Sequence, residues 1–175
     1  WKSTAGKRNI MLKREYSRGA VQKMKIHHID TEQYLISITR LIAEGRQVTI
    51  PVRGNSMSPF LADGRDSVLL GPPPERLRRG DIVLFRRRSG QFILHRIIDV
   101  KSNARGKIQY YIRGDAQEIT EGPVLSGQIC AVVVKSMRKG RWLASRDPYE
   151  IFFRHVWFRK YFPRTAVMRI FRRIL

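Results

Sequence analysis

From Gln47 onward the hydrophobic period of this 175-residue chain is two: Val48, Ile50 and Val52 alternate with Thr49, Pro51 and Arg53. Successive side chains of an extended chain point to opposite faces, so this alternation predicts a strand with one buried side. Further strands are expected over 67–70, 82–87, 92–100, 108–113 and 128–136, with Gly71-Pro72-Pro73-Pro74 and Ser89-Gly90 supplying turns. No repeat and no strand–helix alternation is visible, which excludes a parallel doubly wound sheet and predicts a mainly β, antiparallel domain. One helix precedes it. Asp30 or Thr31 serves as its cap, Gln33 can complete a capping box, and Tyr34, Leu35, Ile38, Leu41 and Ile42 share a face before Gly45 stops it. That helix is too short to cross a bilayer and is expected to cover one side of the sheet.

Three short segments within this frame carry chemistry. Gly54-Asn55-Ser56-Met57-Ser58-Pro59 follows the first strand, Leu94-His95-Arg96 lies on a later one, and Arg113-Gly114-Asp115 ends another. A serine hydroxyl attacks a carbonyl only if a base takes its proton, and a neutral histidine suits that task. An acid on the other ring nitrogen would fix the tautomer. Taken singly, each segment is more often structural, since serine and Gly-Asp are common in turns and a lone histidine on a strand is usually packed or surface-exposed. Their joint order favours a peptidase site.

The wording of these segments resembles the type I signal peptidase family and its relatives, the self-cleaving phage and SOS repressors. The family's Ser-Met-x-Pro box is matched by Ser56, Met57, Ser58 and Pro59. Its Gly-Asp-Ile-Val box is matched by Gly80, Asp81, Ile82 and Val83, followed by the strand carrying His95, and a third Gly-Asp box by Gly114 and Asp115. Most bacterial members use lysine as base, whereas the branch of the endoplasmic reticulum and archaea has histidine followed by arginine, as at His95-Arg96. The resemblance spans residues 46–137 and implies a coiled, partly barrel-like β domain. It implies further that Ser56 is the nucleophile, His95 the base and Met57 part of a shallow pocket for small side chains before the cleavage point. The position where some relatives carry a second oxyanion donor is Gly54. Either Asp115 or the later acid Glu121, with Glu118 close by, would orient His95; the intact Gly-Asp box favours Asp115.

The remaining features bound the alternatives. Cys130, the one cysteine, lies in an apolar run and reads as a small core residue. No histidine or cysteine cluster has metal-ligand spacing, adjacent His27-His28 included, so neither metal nor cofactor is assigned. Residues 1–23 hold seven Lys/Arg against Glu15, and residues 141–175 hold nine against Asp147 and Glu150, within a net charge of +21. An excess of this size attracts anionic partners. Nucleic acid is the less favoured one, because Phe152, Phe153, Trp157, Phe158, Tyr161 and Phe162 concentrate beyond the β core instead of forming a platform upon it. A self-cleaving regulator would need a helix-turn-helix ahead of the sheet, and a single helix leaves no room for one.

From Pro163 a helix would place Val167, Met168, Ile170, Phe171, Ile174 and Leu175 on one face opposite Arg169, Arg172 and Arg173. Such a helix lies on an anionic membrane or packs on the domain; the aromatic stretch would add interfacial anchors in the first case. The chain is thus divided into a basic extension over 1–29, expected to be disordered, with Met11 and Met24 as possible natural starts, the β domain with its helix over 30–140, and a basic, aromatic helical tail over 141–175. The expected activity is removal of a leader from a peptide or small protein in trans. The expected place is the cytoplasmic side, with peripheral attachment to the inner face of the membrane.

Overall fold

The computed structural model describes residues 31–144, 146–158, 163 and 165–169. Helix α1 (Thr31–Ala43) leads into strands β1 (Val48–Pro51), β2 (Ser67–Gly71), β3 (Ile82–Arg86), β4 (Phe92–Ser102), β5 (Ile108–Arg113) and β6 (Glu121–Leu125). After a single 3-10 turn come β7 (Ile129–Arg138), β8 (Arg141–Trp142) and helix α2 (Pro148–His155). All pairings are antiparallel, in the order β1-β2-β7-β3-β4-β5-β6 with β8 beside β7, and the sheet is not closed. The expected fold class is therefore observed. The cap at Asp30 and the extension over 1–29 lie outside the described residues.

Strand β3 shows why the sheet is buried on both faces. Ile82 and Leu84 belong to one apolar cluster with Ile38, Ile42, Ile50 and Ala131, whereas Val83 and Phe85 belong to a second with Ile97, Ile112 and Val124. Alternation along one strand thus feeds two cores. Helix α1 covers the first, with Ile38 and Ile42 buried, and it ends at Gly45, whose φ of +84° permits the reversal. The hairpin at Ser89-Gly90 joins β3 to β4, closed by Arg87 N–H donating to Gln91 C=O at 2.9 Å. Strand β6 was not expected. Its sequence Glu-Gly-Pro-Val-Leu contains a proline, which cannot donate to a ladder and is tolerated because β6 is the sheet's last strand.

The segment after β8 packs on the first core. Asp147 caps α2 by accepting from Tyr149 N–H, Pro148 opens it, and Phe153 and Trp157 are buried in the first core together with Met168. Phe152, Phe158, Tyr149 and Val167 pack against the same cluster, and Phe60 stacks with Tyr149 at 5.6 Å and meets the tilted ring of Phe153 at 5.1 Å. These aromatics are core residues, not interfacial anchors; Tyr161 and Phe162 lie outside the described residues. The Pro163 helix start is observed, with Val167 N–H donating to Pro163 C=O at 3.2 Å, and Val167 and Met168 face the protein. Residues 170–175 are not among those described. No described helix is long and apolar enough to cross a membrane.

Because Trp157 is 1% exposed and its indole N–H donates to the Asp115 carbonyl at 2.9 Å, Trp157→Ala should cost about 3–5 kcal/mol of stability. Chemical denaturation of the two proteins measures this. A loss below about 1 kcal/mol would mean that the segment is an appendage.

Candidate active site

Strand β1 delivers the chain to a turn in which Gly54 adopts φ +78°, and Ser56 follows, half-buried, before Phe60 and Leu61 plunge into the core. His95 sits on β4 opposite Val83 of β3, so its ring falls on the second-core face, where it lies 6.4 Å from the Phe85 ring. Gly114 ends β5 and brings the two together. A Cβ placed on Gly114 would stand 2.5 Å from the Ser56 carbonyl oxygen, 3.0 Å from His95 Nε2 and 3.1 Å from Gln117 Oε1. Only a glycine admits that approach, and Ala116 N–H donates to the same Ser56 carbonyl at 2.9 Å. The three sequence segments thus converge on one spot. The Ser56 hydroxyl and His95 are not hydrogen-bonded here, and the Ser56 N–H donates to no backbone carbonyl among the described residues.

The acid beside His95 is Glu121, not Asp115. Glu121 Oε1 stands 3.4 Å from His95 Nδ1, a contact without the alignment of a hydrogen bond, so Nδ1 is buried and otherwise unpartnered. Asp115 is fully buried with both oxygens held by Arg96, from Nε to Oδ1 and from Nη2 to Oδ2, each at 2.9 Å. Arg96 also donates to the Gly80 carbonyl at 3.0 Å and lies over the Phe60 ring at 4.8 Å. The Gly-Asp box at 114–115 therefore positions backbone through a buried ion pair, and the residue after the base supplies its cation. The expectation for Asp115 fails because a guanidinium fork takes a whole carboxylate.

Two further expectations are corrected in part. Met57 is 2% exposed and packed in the first core, so its side chain is not on the surface where the pocket for small side chains was expected. Cys130 is half-buried, and burial pushes its thiol up, away from nucleophilic character. His155 is exposed on α2, and His27-His28 lie outside the described residues. Glu118 is exposed and contributes its carbonyl to Arg113 Nη1 at 3.2 Å.

Arg87 is the residue that sequence reasoning missed. It grips Glu121 with Nε and Nη2 at 2.6 Å each, which holds that carboxyl below its usual range. Adjacent arginines at 86, 87 and 88 read as a solvated hairpin, and no local signal marks which of them turns inward. Burial moves the His95 imidazole down to about 4; Glu121 opposes this shift, and Arg87 adds to it. His95 is therefore neutral at pH 7. With Nδ1–H toward Glu121, its Nε2 carries the lone pair on the Gly114 side and can accept a proton there.

An apolar groove of about 440 Å³ lies on the first-core side of the sheet, lined by Tyr34 and Leu35 of α1, Ile50 and Val52 beside β1, and Phe92 and Leu94 of β4. A comparison with models of known protein families finds no match, and none is found among curated proteins.

The depressed His95 gives a signed pH dependence. The unfolded chain takes up a proton near pH 6.5 and the folded chain only near 4, so stability falls as pH falls through that window, by about 3 kcal/mol. Glu121, held low, adds its loss only below its unfolded value of 4.5. Unfolding free energies of wild type and His95→Asn between pH 4.5 and 6.5 should differ in slope, the variant being flatter; parallel curves would show that His95 is not titrating as a buried neutral base.

Proposed function

We propose that the protein is a serine endopeptidase of the signal-peptidase type, which removes a leader segment from a peptide or small protein. The observation that carries this reading is the convergence of the Ser56 turn and His95 Nε2 on Gly114, with Glu121 on the opposite ring nitrogen. A serine turn and an imidazole meeting at one glycine, with a carboxylate on the other ring nitrogen, is far less common than any of the three alone. The resemblance to the Ser/His branch of the family supports it independently.

In this reading Ser56 Oγ attacks the scissile carbonyl as Nε2 takes its proton, and the amine leaves with that proton. Water then hydrolyses the acyl-enzyme with His95 again as base. Closure of Glu121 onto Nδ1–H stabilises the imidazolium formed at each step. The Ser56 N–H is available for the developing oxyanion.

Ser56→Ala and His95→Ala should each lower cleavage of a peptide with small residues before the scissile bond by about a thousandfold or more, with folding retained. Normal turnover by His95→Ala would sink the assignment. Glu121→Gln should lower turnover by at least about tenfold at near-native stability, whereas Asp115→Asn should act first on stability, by about 3 kcal/mol, because it strands the buried Arg96 charge. Turnover should rise with pH through an apparent pKa near 4, not 6.5, so activity persists at pH 5. A midpoint at 6.5 or above would show that the base is solvated or is another group.

A further inference from the structure

Arg87 stands where the chain leaves β3 and commits its whole guanidinium. Two nitrogens hold Glu121, and the third, Nη1, donates to Gln91 Oε1 at 2.6 Å. Both oxygens of Glu121 are thereby turned toward Arg87, and the buried Nδ1 of His95 is left with a carboxylate at 3.4 Å and no hydrogen bond. A buried donor is rarely left so unless something holds its acceptor back. Here the acceptor is held by a fork that matches its geometry.

The same arginine forms part of the wall of three adjoining cavities, of about 570, 310 and 370 Å³. The largest begins at Ala116, whose N–H is bonded to the Ser56 carbonyl, and carries Ile119, 79% exposed. The other two share Arg88 and Gln128 and are floored by Phe85, Pro123 and Leu125. With Phe85 and Val124 in their walls, they form a trough on the second-core face of the sheet, the face that carries His95. Arg88 is exposed in it and makes no ion pair or hydrogen bond among the described residues, while Arg86 is engaged by Glu32 at 2.8 Å. Glu118 is the one other carboxylate on the trough's wall, at its exposed end.

We propose that Arg87 is a positioning residue that gates the Glu121–His95 contact, and that an acidic side chain in the substrate segment leaving as the amine opens the gate. This identity of the ligand rests on the peptidase reading; the gate itself does not. A carboxylate entering the trough meets Arg88 and competes for the Arg87 fork. Glu121, released from one of its two bonds, then has only about half an ångström to travel to reach a normal hydrogen bond to Nδ1. The histidine base is thus completed by the substrate it acts upon, and peptides without an acid after the cut leave it misaligned.

The test uses two short fluorogenic peptides with small residues before the scissile bond, identical except for glutamate or glutamine shortly after it. The wild-type protein should cleave the glutamate peptide with about tenfold higher kcat/KM, gained mainly in kcat, and Arg87→Gln should cleave both alike. A readout independent of turnover is the His95 imidazole resonance in Ser56→Ala protein. The charged groups that face the ring are Glu121 and Arg87. The glutamate peptide should therefore move the titration midpoint upward and the glutamine peptide should not, while Arg87→Gln shows the raised midpoint without peptide and Arg87→Lys, which keeps the charge but lacks the fork, falls between. If the midpoint ignores Arg87→Gln, or both peptides move it equally, the gate is wrong. If it responds as expected but no peptide is cleaved, the gate stands and the peptidase reading falls.

Discussion

The buried pair of Arg96 and Asp115 is the interaction on which the rest of the architecture depends. Two fully buried ions are tolerated only when each is saturated by partners, because an unpaired charge in that environment is far more costly than the pair is stabilising. Saturation here ties distant parts of the chain: Gly80 on the approach to β3, Phe60 in the Ser56 turn, and the loop after β5. The Asp115 backbone carbonyl also accepts from the Trp157 indole N–H. The neighbouring Gly114 is held where only a glycine fits, and so the Ser56 carbonyl and the His95 ring can close on it. The ion pair contributes geometry to a site in which it takes no chemical part.

On the other side of the ring the logic is reversed. Glu121 and Arg87 are half-buried, reachable by solvent, and close enough to His95 to bias its protonation in opposite senses. A histidine buried on a sheet face must stay neutral to remain there, and neutrality is also what a base requires. Packing alone thus accounts for a neutral imidazole at His95, and in the proposed peptidase the same neutrality serves the reaction.

Most of the sheet was legible because alternation and turn chemistry are local: the edges at β2, β3, β4, β5 and β7 follow the pattern to within a few residues. Strand β6 was not, because its proline and glycine read as a break and its pairing with β5 is decided by a neighbour far away in sequence. The site was half legible. Ser56 and His95 stand in boxes whose wording can be recognised, and Gly114 lies in a third. Which acid meets the imidazole depends on where Arg96 and Arg87 spend their charge, and nothing in the order of residues says that one arginine turns into the core and another toward Glu121. The aromatic run was left between two partners for a similar reason, since a helical stripe of Phe and Trp looks the same whether its partner is lipid or Phe60.

The bond from Trp157 to Asp115 spans 42 residues, and α2 closes on a turn at Phe60 laid down much earlier. During synthesis from the N-terminus, every strand of the sheet leaves the ribosome before the segment that seals the floor beneath Gly114. Contacts so distant along the chain are slow to form. A nascent chain can therefore hold His95 and Glu121 on a formed sheet while the loop at Gly114 and Asp115 is still unlocked, and the arrangement around Gly114 is complete only with the aromatic closure.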